Sequence, residues 1–188
     1  NKPGNYEVEM VKTTFRDLFY APVYGAGIRG GKQLKAFIPG GASSYWFGPD
    51  KLDVPLDQDE VGKLGTMLGS GSVVAMDETT CMVRAAWRIT RFFHKESCGQ
   101  CTPCREGAGW LEKILQRIEA GRGREADLDL LLDACDNIAP GLTWPPRQTT
   151  ICPLHAACVA VHLDPASSSL CCVGRWGELD RWKLARLV

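Results

Sequence analysis

Three cysteines in seven residues constrain this sequence most. Cys98-Gly99-Gln100-Cys101-Thr102-Pro103-Cys104 sets its thiols at intervals of three, with Gly99 and Pro103 shaping a tight loop between them. Three thiolates on one turn can hold three corners of a cubic iron–sulfur cluster, and the fourth iron then needs a ligand from elsewhere. A ferredoxin-type run would supply it just downstream, but no cysteine follows Cys104 within several residues. The fourth ligand must therefore be distant in sequence. The 188-residue chain has nine cysteines, and an odd number cannot close entirely into intramolecular disulfides. Metal or cluster chemistry in a reducing compartment is the better account.

Rival uses of the same thiols fit less well. Structural zinc sites pair two Cys-x-x-Cys knuckles, and a second knuckle is missing. A thioredoxin-like dithiol needs one Cys-x-x-Cys at a strand-to-helix turn rather than three thiols in series. Candidates for the fourth ligand are Cys135, Cys152, Cys158, Cys171 and Cys172. Cys135 lies on an apolar helical stripe, where packing is its default role, and Cys158 falls inside a predicted helix. Cys152 directly precedes Pro153, a residue suited to the first helical position, so it stands at a helix N-terminus. Cys104, just ahead of Arg105-Glu106, reads the same way. Backbone N–H groups at those two helix ends would face cluster sulfurs and offset their negative charge, with Arg105 and Lys95 adding to the field. Cys81, Cys171 and Cys172 receive no chemical role.

The rest of the chain sorts into two periodicities. Up to about residue 78, glycine and proline punctuate short stretches, and close-spaced strands are expected. Alternation predicts strands at Tyr6–Glu9 and Leu34–Ile38, with a short helix over Thr14–Phe19 between them, giving a small α+β sheet domain. From Thr79 the period becomes helical. Met82, Val83, Ala86, Ile89 and Phe93 share one face of a segment capped by Thr79 or Thr80. Trp110, Leu111, Ile114, Leu115 and Ile118 form a second stripe, and Leu128, Leu131, Leu132, Cys135 and Ile138 a third, with Gly121 and Gly123 turning between them. A shorter helix is predicted over Pro153–Leu163, after a proline-rich loop at 139–147. Four such helices make a bundle. The expected domains are thus a sheet domain at 1–78, a helical bundle at 79–163, and a tail at 164–188 without an assigned fold.

Composition removes whole classes of function. The 22 Lys and Arg balance the 22 Asp and Glu, so bulk attraction to nucleic acid is not expected. No apolar run approaches the roughly 18 residues that cross a bilayer. The chain starts at Asn1 without a visible signal peptide, which fits a piece of something longer.

The string Glu96-Ser97-Cys98-Gly99-Gln100-Cys101-Thr102-Pro103-Cys104-Arg105-Glu106-Gly107 resembles the [4Fe-4S] signature of the NADH-binding flavoprotein subunit of respiratory complex I and of related diaphorase subunits in NAD-linked hydrogenases and formate dehydrogenases. Arg91–Lys95, Leu68–Asp77 and Gly30–Ser44 are also similar to this family, the last to its ubiquitin-like β-grasp (SLBB) domain. The family's fourth ligand lies in a Thr-Ile-Cys-(Ala/Pro)-Leu segment, which Thr150-Ile151-Cys152-Pro153-Leu154 matches. The resemblance therefore implies a β-grasp domain followed by a cluster-binding helical bundle, with Cys98, Cys101, Cys104 and Cys152 as ligands. It implies electron transfer from FMN reduced by NADH, the FMN and NAD(H) being held in a glycine-rich region of the full-length subunit. The isolated chain would lack that activity. Implied partners are other peripheral-arm subunits of complex I, especially the small [2Fe-2S] subunit and the large iron–sulfur subunit. The implied location is peripheral, on the cytoplasmic face of a bacterial inner membrane or the matrix face of a mitochondrial one. A cluster-free module that docks a partner subunit is the alternative from a different class. The sequence departs from the family at the 139–147 insert and beyond Cys158.

Other motifs carry weaker signals. Gly25-Ala26-Gly27-Ile28-Arg29-Gly30 matches G-x-G-x-x-G, but a dinucleotide fingerprint must follow a strand and open a helix. His94 is expected to be a hydrogen-bonding histidine at a helix end, and His155 and His162 to have no metal role. Trp87 and Trp110 are expected in the core.

Overall fold

A computed structural model describes residues 1–124 and 126–138. Two compact units share the chain, divided between Thr80 and Cys81. The first contains α1 (Phe15–Tyr20), β1 (Leu34–Ile38), α2 (Gln58–Lys63) and β2 (Val74–Asp77). The second contains α3 (Met82–Glu96), α4 (Thr102–Glu119) and α5 (Ala126–Ile138).

In the first unit, β1 and β2 pair antiparallel, with Ala36 opposite Met76 and Ile38 opposite Val74. An isolated bridge joins Phe37 to Phe47, and another joins Thr14 to Pro55. Aromatic side chains fill the space beneath this small sheet. Phe37 lies with its ring centroid 4.9 Å from Phe15, 5.2 Å from Phe19 and 5.5 Å from Phe47. Leu34, Leu52, Leu56 and Val61 complete this core. Helix α1 begins where Thr14 and Asp17 form a reciprocal capping box, which satisfies two backbone donors that the helix itself leaves unpaired.

The strand expected at Tyr6–Glu9 does not form. Its alternation is met by Val8 alone packing on the core, while the backbone turns away in a Thr13 N–H to Glu9 carbonyl bond. Nor do the glycines at 25–30 follow a strand. They close off α1: the Gly25 N–H donates to the Leu18 carbonyl and the Gly27 N–H to the Phe19 carbonyl at 2.7 Å. The chain then leads into β1, the reverse of the strand-turn-helix order that a nucleotide-binding turn requires.

The second unit is built around α4, which packs against α3 and against α5. Leu111, Ile114, Leu115 and Ile118 are buried at the i, i+3, i+4, i+7 positions of one face. The buried residues of the two helices packed against α4 include Met82, Val83, Ala86 and Thr90 of α3 and Leu131, Cys135 and Ile138 of α5. Gly107 makes the α4–α5 approach possible, since a Cβ there would lie 2.7 Å from the Ile138 side chain.

Three expectations about these helices need correcting. Helix α3 is capped by Cys81 rather than by Thr79 or Thr80. Both threonine hydroxyls, and the Thr79 N–H, donate instead to Asp77 Oδ1, so they close the turn after β2. Helix α4 begins at Thr102 with Cys101 as its N-cap, which puts Cys104 inside the first turn rather than at the helix end. Trp110 is 59% exposed and outside the core. It precedes Leu111 by 100° of rotation and so joins Lys113 and Arg117 on the outer face of α4, at the rim of a shallow groove of about 320 Å³ shared with Leu130 and Ala134 of α5.

Candidate metal centre

The thiol loop is the short link between two helices. Helix α3 ends at Glu96, with Ser97 as an extended C-cap, and α4 starts five residues later. Between them Gly99 takes φ = +74°, a backbone state that side chains with a Cβ rarely adopt. Two side chains fix this turn. The Gly99 N–H donates to Ser97 Oγ at 3.3 Å, and Arg105 Nη1 donates to the Gly99 carbonyl at 2.7 Å. Arg105 also donates to Glu106 at 3.0 Å, so its guanidinium is committed to the loop and to its own helix.

Cys98 is exposed, whereas Cys101 and Cys104 are half-buried. Ser97 Oγ lies 3.4 Å from Cys104 Sγ. At the start of α4 the N–H of Thr102 and Cys104 precede the first intrahelical acceptor, and Pro103 has no N–H to satisfy. The first helical bond runs from the Arg105 N–H to the Cys101 carbonyl. These N–H groups stand beside the thiols and contribute the partial positive charge of a helix N-terminus.

Behind the loop, His94 fastens α3 to α4. Its Nδ1 lies 2.6 Å from Glu112 Oε2, and Arg91 Nε lies 3.8 Å from the other carboxylate oxygen. A Cβ on Gly109 would sit 3.0 Å from His94 Nε2, so a residue without a side chain lets the imidazole lie against α4. The sequence showed His94 as a helix-end hydrogen-bonding residue, and its contact with Glu112 is of that kind. Glu112 had no sequence signal, because nothing links it to His94 before the helices pack.

Among the other cysteines, Cys135 is fully buried on α5 and Cys81 is half-buried at the start of α3. Cys152, the proposed fourth ligand, lies outside the described residues, as do Cys158, Cys171 and Cys172 and the predicted helix over Pro153–Leu163. Among the described residues, no three His, Cys, Asp or Glu side chains stand together as a finished metal site. The thiols nevertheless suit an iron–sulfur cluster by donor chemistry and access: three soft donors run from the α3–α4 link into the first turn of α4, none of them fully buried, with backbone N–H groups beside them.

Residues 84–165 match the family described as the NADH-ubiquinone oxidoreductase-F iron-sulfur binding region. These residues belong to that family. The F subunit of the NADH-quinone oxidoreductase of Mycobacterium tuberculosis is 49% identical over 137 residues, covering 73% of this chain and 30% of the relative. The corresponding protein of Streptomyces coelicolor is 49% identical over 136 residues, covering 72% and 29%. The chain thus spans about three-tenths of the length of these curated relatives. In fold it is similar to a chain of an NAD+-reducing [NiFe]-hydrogenase in its H2-reduced state, with a TM-score of 0.63 and 23% identity over 80% of this chain and 26% of that one. The mixed helical and small-sheet architecture is therefore one already seen in solved structures.

Proposed function

We propose that this chain is the iron–sulfur part of an NADH-quinone oxidoreductase flavoprotein subunit, in which Cys98, Cys101, Cys104 and Cys152 ligate one [4Fe-4S] cluster. The carrying observation is the run of three thiols from the α3–α4 link into the first turn of α4, inside the stretch that matches an iron-sulfur binding family. When bound, the group supplies a one-electron acceptor for a two-electron donor. The chain's own residues hold and tune that acceptor. Gly99 and Arg105 fix the loop, the first-turn N–H groups of α4 favour negative charge beside the sulfurs, and the His94–Glu112 contact keeps the two flanking helices together.

In this reading FMN and NADH bind to the remaining length of the whole flavoprotein, and the isolated chain does not oxidise NADH. Residues 1–78 are a ubiquitin-like β-grasp (SLBB) domain, 79–163 the cluster-binding bundle and 164–188 a divergent tail. The antiparallel β1–β2 pair and the 30–44 segment support the first assignment. The partners are other subunits of the enzyme's peripheral arm, especially the small [2Fe-2S] and large iron–sulfur subunits. With relatives in bacteria, the cytoplasmic face of the inner membrane is the expected location. Among the described residues no helix is long and apolar enough to cross a membrane. The equivalent diaphorase of a hydrogenase or formate dehydrogenase would share this chemistry. Identity of 49% to the mycobacterial NADH-quinone oxidoreductase protein, against 23% to the hydrogenase chain, favours the first reading.

Anaerobic reconstitution with iron and sulfide tests the proposal. About four irons and four sulfides per chain are expected, with loss of the cluster in Cys98→Ala and in Cys152→Ala. Zinc without sulfide in anaerobically purified protein would overturn it. A colourless, folded chain that still binds a partner subunit would instead support the docking module.

A further inference from the structure

Ser97 makes a contact that the ligand set does not account for. Its Oγ accepts the Gly99 N–H at 3.3 Å and lies 3.4 Å from Cys104 Sγ. A serine hydroxyl has one proton and two lone pairs. The amide is a donor, so it takes a lone pair, and the hydroxyl proton remains available to the sulfur. With Cys104 as a free thiol, either atom of this pair can donate. A cysteine sulfur that ligates iron has lost its proton and can only accept, so in the loaded protein the bond must run from Ser97 to Cys104. The serine is held in place independently of any cluster. It is the C-cap of α3, and the glycine that donates to it is fixed by its left-handed conformation and by Arg105.

We propose that Ser97 is a positioning residue that sets the reduction potential of the cluster by donating its hydroxyl proton to the Cys104 sulfur. This rests on the cluster reading given above. Reduction adds negative charge that the iron shares with its thiolate sulfurs, and a donor aimed at such a sulfur stabilises the reduced state more than the oxidised one. The hydroxyl therefore raises the potential. It complements the backbone N–H groups at the start of α4, which act through a fixed partial charge.

The test compares the full chain with its Ser97→Ala and Ser97→Thr variants after anaerobic reconstitution, following the reduced cluster by EPR in a redox titration. S97A is expected to lower the reduced-to-oxidised ratio at the wild-type midpoint by about tenfold, equivalent to about 59 mV for a one-electron couple. S97T, which keeps the hydroxyl, is expected to restore most of it. Proton ENDOR of the reduced wild-type cluster should show a coupling that disappears both in deuterium oxide and in S97A. Equal midpoints in wild type and S97A would overturn the role of Ser97 while leaving the cluster reading intact. If S97A takes up too little iron to titrate, the wild-type ENDOR spectrum decides, and absence of an exchangeable coupling there counts against the proposal. A wild-type chain that assembles no cluster at all overturns both readings.

Discussion

Asp127 shows how much one side chain can decide. It is 1% exposed in the first turn of α5, and both carboxylate oxygens are used. Arg117 of α4 grips it through Nε at 2.9 Å and through Nη2, while the Arg124 N–H donates at 2.8 Å. Burial by itself would raise the carboxyl's affinity for a proton. The Arg117 and Arg124 hydrogen bonds outweigh burial, so the group stays below its ordinary value of 3.8. A carboxyl depressed in the folded state stabilises the fold above its unfolded pKa and loses that contribution as pH falls through the folded value. Urea unfolding should therefore show the helical unit weakening below about pH 4. Asp127→Asn should cost about 1–3 kcal/mol at pH 7 and flatten that acid slope. An unchanged slope in D127N would mean that other carboxylates control the acid limb. No sequence signal marked Asp127, because burial of one aspartate among many depends on which helix packs over it.

Neighbouring positions on α4 make a sharper comparison at the scale of an element. Trp110 and Leu111 are both large and apolar, and the sequence stripe groups them together. In the folded chain Leu111 is fully buried between helices, whereas Trp110 is 59% exposed beside Lys113 and Arg117. Leu111→Ala should therefore cost about 2–5 kcal/mol in chemical denaturation. Trp110→Ala should stay within about 0.5 kcal/mol of wild type. Comparable losses in both would show that the outer face of α4 is covered. The same helix explains why the thiol loop was readable but its cap was not. Spacing alone puts Cys98, Cys101 and Cys104 within seven residues, while the placing of Cys101 as N-cap and of Cys104 in the first turn depends on where α4 can start once Pro103 occupies its second position.

For the molecule as a whole, each unit carries a core of its own. The first unit buries Phe15, Phe37 and Val61 completely, which is the signature of a module with independent packing. A fragment of residues 1–80 should then fold alone, giving a cooperative thermal transition and a near-ultraviolet circular dichroism signal from its packed aromatic rings. A non-cooperative melt would show that the module depends on the rest of the chain.

Sequence by itself carried the chemical reading: three thiols at intervals of three are visible in covalent order, and their spacing resembles that of an iron–sulfur ligand run. Leu34–Ile38, the helical stripes and the core role of Cys135 were legible for the same reason, as each depends on local periodicity. Tertiary structure decided what local order cannot. Tyr6–Glu9 found no strand partner, Trp110 fell on the outer face, and Thr79 and Thr80 closed the turn after β2 instead of capping a helix. Only the folded loop brought the Ser97 hydroxyl to the Cys104 sulfur, because a hydrogen bond between residues seven apart requires a turn whose path depends on both flanking helices.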